Sequence, residues 1–148
     1  MLTGVINAKP GSIQFHISND KLLKVDLMFS YNDEIEIEPF YTQFREYLTG
    51  MRREFDLEYI LEVSDFTKNV LSITKKISYG KTMTYGHIAR ILGKPKAARA
   101  VGQSLKINPL PIIIPCHRVV SKNGPGGFSA GIEWKNFLRN LEYSSTAE

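Results

Sequence analysis

Along residues 12–18 the apolar side chains Ile13, Phe15 and Ile17 alternate with Gln14, His16 and Ser18. That two-residue period belongs to a strand with one face on a core and the other toward water. Leu2–Asn7 and residues 22–30 carry related patterns, and the turn formers Pro10, Gly11, Asn19, Asp20 and Lys21 separate the three runs. The reading is a three-stranded antiparallel meander. Residues 31–38 are acidic and read as a loop. From Pro39 the period lengthens, and Phe40, Phe44, Tyr47 and Leu48 recur at helical spacing until Gly50. Between 51 and 65, Phe55, Leu57, Tyr59 and Leu61 alternate again, which fits an edge strand or an extended linker.

Beyond residue 64 the helical period prevails. Ser64 or Asp65 can cap a helix whose Phe66, Val70, Ile73 and Ile77 make one stripe, with Gly80 as its stop. Thr84 caps a short helix that turns Ile88, Ala89 and Leu92 inward and closes at Gly93. Pro95 stands in the first turn of a helix over 96–106, with Ala98, Val101 and Leu105 inward, and Asn108 and Pro109 stop it. Two short helices meeting at Gly93 are a helix-turn-helix candidate. A buried run over 112–114 follows, then a loop over 122–131 with four glycines and a proline. Trp134, Phe137, Leu138 and Leu141 stripe a closing helix that frays over 144–148. The pattern predicts an α+β chain in two parts, 1–64 and 65–148.

Charge sharpens that division. The net charge is +4, but residues 1–65 carry six basic and twelve acidic side chains, a balance of −6, and residues 66–148 carry thirteen and three, a balance of +10. No acidic residue occurs between Asp65 and Glu133. The second part is built to meet an anionic partner. A single cysteine excludes an intrachain disulfide framework and a multi-cysteine metal site, and three scattered histidines argue against a metal centre. No signal-like or membrane-length apolar run is present, so a soluble, intracellular chain in a reducing compartment is expected.

The cysteine follows three isoleucines, in Pro115-Cys116-His117-Arg118. A buried structural thiol is one reading. The other is a nucleophile, since His117 and Arg118 can each favour the thiolate, and a histidine oriented by a third group can act as base. Only Glu133 and Glu142 lie just downstream as orienting carboxylates, and Glu142, next to the apolar stripe, is the better placed.

These motifs resemble those of the O6-alkylguanine-DNA alkyltransferases, the methylated-DNA–protein-cysteine methyltransferases. PIIIPCHRVV resembles their acceptor-cysteine motif, AARAVGQSLKINP their recognition helix and asparagine hinge, TYGHIARILG the helix before it, and GGFSAG their substrate loop. The likeness runs from about Phe66 to Glu142, and the first 65 residues match only in length and element order. It implies a ribonuclease H-like N-terminal lobe and a C-terminal lobe with a winged helix-turn-helix. It also implies irreversible, single-turnover transfer of an alkyl group from guanine in double-stranded DNA to Cys116. The acting species would be a monomer in the cytoplasm or on the nucleoid, without metal or cofactor.

The resemblance implies residue roles too. Cys116 is the acceptor, His117 its base through a water, Glu142 the acid partner of His117, and Asn108 the residue that fixes the turn. Arg99 fills the space of the flipped base, with Ala98, Ala100 and Lys96 beside it at the DNA. Tyr85 supports phosphate rotation and donates toward guanine N3. The backbones of Cys116 and Val119 read the guanine amino group, the Ser129 N–H meets the substrate oxygen, and Pro111, Phe128 and Ala130 line the pocket. Phe128 departs from the common tyrosine, and Ala130 from the usual glycine, where a methyl narrows the pocket or stiffens the loop.

The residues themselves suit this chemistry. A base buried in the stack must be extruded and its gap filled, and one long cation among alanines fits a narrow groove better than several polar fingers would. Two other functions compete: a lesion-binding protein without catalysis, which would not need the cysteine, and a cysteine hydrolase, which would not need the arginine helix. His16 and His87 read as surface or capping residues. Lys75, Lys76, Lys81, Lys94, Lys96 and Lys106 read as a diffuse phosphate-facing field.

Overall fold

Gly4 shows how the sheet closes on its core: the strand register sets it opposite Phe15, whose ring fills the space a side chain would take. The computed structural model describes residues 1–146. Strands β1 (Leu2–Asn7), β2 (Ser12–Ser18) and β3 (Lys21–Met28) form the antiparallel sheet in chain order. Asn19 and Asp20 both take positive φ, 52° and 61°, as a tight two-residue hairpin requires. Lys21 therefore already pairs with Ser18, and β3 starts and ends earlier than the 22–30 pattern suggests. Helix α1 (Phe40–Leu48) lays Phe40 and Phe44 on Phe15 of the sheet, the Phe15 and Phe44 rings stacking at 5.1 Å, and turns Tyr47 toward Phe55 and Tyr79. On the other face His16 is hydrogen-bonded to Thr3 and to Asp26, each at 2.9 Å, and so joins the three strands. Residues 51–64 are an extended linker that touches β3 at a single bridge, Leu22 with Tyr59.

Helix α2 (Asp65–Lys75) is capped by the Ser64 hydroxyl, which accepts from the Thr67 N–H. It stops well before Gly80, because the Ile77 N–H turns back to Thr74 in a tighter turn, although Ile77 stays buried. Thr84 caps α3 (Tyr85–Ile91). Helix α4 is Ala98–Lys106, two residues shorter than expected: Pro95 and Lys96 form a turn closed by Ala97 N–H to the Lys94 carbonyl, so Lys96 is outside the helix. Helices α3 and α4 pack on each other and on α2 as a helix-turn-helix. The pair β4 (Met83–Thr84) and β5 (Val119–Val120) is parallel and pins the start of α3 beside the chain just after Cys116. Helix α5 is Ile132–Thr146, so residues 144–146, expected to fray, are helical, while residues 147 and 148 lie outside the described residues.

One apolar cluster runs from Phe15 through Val70, Ile88 and Val101 to Trp134 and Leu138. Backbone and side-chain bonds join the same parts: Val25 N–H donates to the Pro109 carbonyl at 2.9 Å, and Trp134 Nε1 to the Met28 carbonyl at 3.1 Å. Among the described residues, no helix is long and apolar enough to cross a membrane.

Candidate active site

The segment carrying Cys116 is folded on Asn108. Asn108 Nδ2 donates to the Ile114 carbonyl and its Oδ1 accepts from the Leu110 N–H, both at 3.0 Å. This clamp, with burial, holds Ile112 at φ 75°, a conformation a β-branched residue rarely adopts. Cys116–Arg118 then form one 3₁₀ turn, closed by Arg118 N–H to the Pro115 carbonyl. Three consecutive side chains thus face different surroundings. Cys116 lines a pocket, His117 is fully buried, and Arg118 is directed to α5.

Glu142 is the hub behind the cysteine. Its carboxylate, 2% exposed, accepts from His117 Nε2 at 2.6 Å, Arg118 Nε at 2.8 Å, Arg118 Nη2 at 3.0 Å, the Tyr47 hydroxyl at 2.6 Å and the Gly80 N–H at 3.1 Å. Burial opposes ionisation of Glu142, but the donors of His117 and Arg118 outweigh it and hold the carboxyl well below the usual range. Burial, and then Glu142, push the Tyr47 hydroxyl well above 10, so it stays a donor. An ionised Glu142 can only accept, which places the neutral imidazole's proton on Nε2 and leaves Nδ1 as the free base. Nδ1 is buried and has no protein partner. Arg118, expected to act on the thiol, instead spends its guanidinium on Glu142 and the Ile77 carbonyl, the latter at 2.7 Å.

Cys116 is 6% exposed, and burial pushes its thiol up to about 11. The Asn108 side chain, the charge of Lys135 and the N–H groups of Cys116 and His117 pull the other way. Lys135 was not singled out in the sequence. It has no exposed surface, its Nζ donates to the carbonyls of Val119 at 2.7 Å and Gly127 at 2.9 Å, and burial pushes its ammonium down to about 8. The available signal was its spacing: Lys135, Leu138 and Glu142 fall three and seven residues apart on one helix face. Lys135 acts on the thiol through its charge and not through a hydrogen bond, and an opposite charge within about 4–6 Å moves a pKa by about 1–3 units. Lys135→Met is therefore expected to slow alkylation of Cys116 by iodoacetamide at pH 7 by about 10- to 100-fold.

The pocket in front of Cys116 has a volume of about 390 Å³ and is walled by Tyr85, Ala98, Arg99, Gly127, Phe128 and Ser129, among others. Arg99 stands exposed at its rim. The Tyr85 hydroxyl donates to the Gly127 carbonyl at 3.4 Å, and Gly126, at φ 74°, lies so close to Tyr85 that a Cβ there would overlap the ring. Ala100 and Lys96, expected beside Arg99 at the DNA, are exposed and lie outside the pocket lining. Pro111 and Ala130 line a neighbouring cavity of about 350 Å³ against β3, which shares Ser129 and Lys106 with the first. Val119 is buried, and its carbonyl is engaged by Lys135. Among the described residues, no three His, Cys, Asp or Glu side chains group closely enough to hold a metal ion.

Fold and site together define a class: a mixed α+β protein that sets a buried Cys–His–Glu arrangement directly behind a helix-turn-helix. Residues 65–144 match the DNA-binding domain of 6-O-methylguanine DNA methyltransferase, and the chain belongs to that family. The methylated-DNA–protein-cysteine methyltransferase of Methanocaldococcus jannaschii is 56% identical over 86 residues, covering 58% of this chain and 50% of that protein. The Methanosarcina acetivorans protein of the same name is 45% identical over 103 residues, covering 69% of this chain and 66% of its own. The matched stretches thus span half to two thirds of these relatives' length. The Mycobacterium tuberculosis OGT, solved in complex with DNA, superposes with a TM-score of 0.87 at 33% identity, over 95% of this chain and 92% of its own.

Proposed function

We propose that this chain binds duplex DNA as a monomer, turns an O6-alkylated guanine into the 390 Å³ pocket and takes the alkyl group onto Cys116, once per molecule. The observation that carries this is the placement of one thiol at a pocket whose rim bears Arg99 and whose back is the His117–Glu142 pair. Residues 65–148 supply both DNA contact and alkyl acceptance, and residues 1–64 brace them. The thiol proton passes to His117 Nδ1 through a bridging water, as Nδ1 has no protein partner. A carbon–sulfur bond forms as the carbon–oxygen bond to guanine breaks, and Tyr85 and the Ser129 N–H neutralise the departing base. Lys135 favours the thiolate meanwhile. The thioether is not hydrolysed, so the cysteine is used up. The related proteins act on methylated DNA by name, and the +10 balance of residues 66–148 suits a phosphate backbone. The reducing, DNA-containing cytoplasm fits a single free thiol. Non-catalytic lesion binding is disfavoured because Cys116 and its relay are intact.

Arg99 tests the flipping step separately from the chemistry. Unstacking a base costs a few kcal/mol. Arg99→Ala is expected to slow transfer from O6-methylguanine in a duplex by about 10- to 100-fold while leaving transfer from free O6-alkylguanine base unchanged. Equal losses on both substrates would show that Arg99 serves the pocket and not the DNA.

A further inference from the structure

A cleft of about 610 Å³ lies behind the Cys116 turn and shares no lining residue with the pocket that Cys116 faces. Its floor is the reverse side of the reactive segment, with Ile112, Pro115 and Arg118, and its sides are the end of α2 and residues 53–59. The mouth is basic. Arg53, Lys75 and Lys76 are exposed there, and among the described residues none of them has a carboxylate within 4.0 Å. Glu54 is the single acidic lining residue. These cations come partly from the half of the chain that is otherwise acidic.

The walls are aromatic as well. Arg53 stands 5.2 Å from the Tyr79 ring centroid and Lys75 4.5 Å from that of Tyr59, whose hydroxyl accepts from Lys75 Nζ at 2.7 Å. The Tyr79 hydroxyl is buried and has no hydrogen-bond partner. Native structures rarely leave such a group unpaired, because the lost hydrogen bond to water is not replaced. Arg118 at the floor gives three of its five N–H groups to Glu142 and the Ile77 carbonyl, and its charge is paired with Glu142, so the cleft's unpaired positive charge comes from Arg53, Lys75 and Lys76.

Cations without carboxylate partners and flat rings in one cleft fit a ligand that is anionic at one end and flat and heteroaromatic at the other. We propose that this cleft is a nucleotide-binding site, distinct from the alkyl-acceptor pocket: the phosphate meets Arg53, Lys75 and Lys76, and the base lies against the tyrosines. The site does not depend on alkyl acceptance by Cys116. A free mononucleotide and one nucleotide of a single strand share this chemistry.

The test is calorimetric titration of the full chain with adenosine 5′-monophosphate, inorganic phosphate and a four-nucleotide single strand. Adenosine monophosphate is expected to bind one site, more tightly than inorganic phosphate. Binding should weaken at least about tenfold in the Lys75→Glu/Lys76→Glu double variant, both positions being exposed, and should be unchanged in Arg99→Ala. If the single strand binds more tightly than the mononucleotide with the same dependence on the two lysines, the natural source is a strand; equal or weaker strand binding assigns a free nucleotide. Three results would overturn the proposal: no saturable binding up to about 10 mM, binding lost in Arg99→Ala but kept in the double variant, or inorganic phosphate binding as tightly as the nucleotide.

Discussion

Glu142→Ala is expected to lose about 3–5 kcal/mol of stability, the cost of removing one partner from a buried ionic cluster. For a chain of this size that lowers Tm by roughly 10 °C or more. The reason is the convergence on one carboxylate of donors from four residues in three places: Tyr47 on α1, the Gly80 turn, and His117 and Arg118 in the reactive turn. Arg118 is 7% exposed, and without Glu142 its charge is buried with the Ile77 carbonyl alone. The variant should also fail to alkylate Cys116, since His117 loses the acceptor that fixes its tautomer. Glu142→Gln separates the two effects. It keeps the shape and one acceptor oxygen, so it should recover part of the stability while remaining slow in transfer. Urea denaturation measures the first and single-turnover alkylation the second. Wild-type stability in the alanine variant would show that the cluster is not what joins α1, the reactive turn and α5.

His117→Gln is expected to slow transfer by about 10²–10⁴-fold, the usual contribution of a positioned base. Burial holds the His117 pKa below 6.5, with Glu142 opposing in part, so the wild-type imidazole is neutral at pH 7. The sign of the pH dependence follows. As pH falls through that lowered value the base becomes protonated, and the transfer rate falls with it. Stability moves the same way. The unfolded chain takes up its proton near 6.5, before the folded chain does, so the contribution of this group is full above about 6.5 and is lost as pH falls. Rates of transfer measured from pH 5 to 8 should show an acid limb in the wild type and none in His117→Gln. A limb that persists in the variant would assign it to another group.

The parts of this structure that sequence made legible are the local ones. Alternation in Ile13, Phe15 and Ile17 and the stripe of Trp134 and Leu138 report which side of an element faces the core, and all five are buried. Ser64 and Thr84 cap where their side-chain chemistry allows. Element ends were less legible, because Pro95 suits a turn as well as a first helical turn, and Ile77 can be buried from a tighter turn as well as from a helix. In the site, Glu142 could be picked out beside His117 because so few carboxylates follow the cysteine. Tyr47 could not, since nothing local ties it to a residue 95 positions away. Arg118 pointed to the wrong partner, because adjacency in sequence does not fix direction within a 3₁₀ turn. Lys135 was hidden by its type: a lysine on an amphipathic helix normally faces water, and here two carbonyls and the nearby thiol hold it inside.

The central claim is that Cys116 itself ends up carrying the alkyl group. Intact-chain mass spectrometry after incubation with duplex DNA containing one O6-methylguanine tests it most directly. The account predicts a gain of about 14 Da, confined to Cys116, reaching one equivalent and going no further, with no free methylated product. An unmodified chain after the lesion has been bound or removed would contradict it.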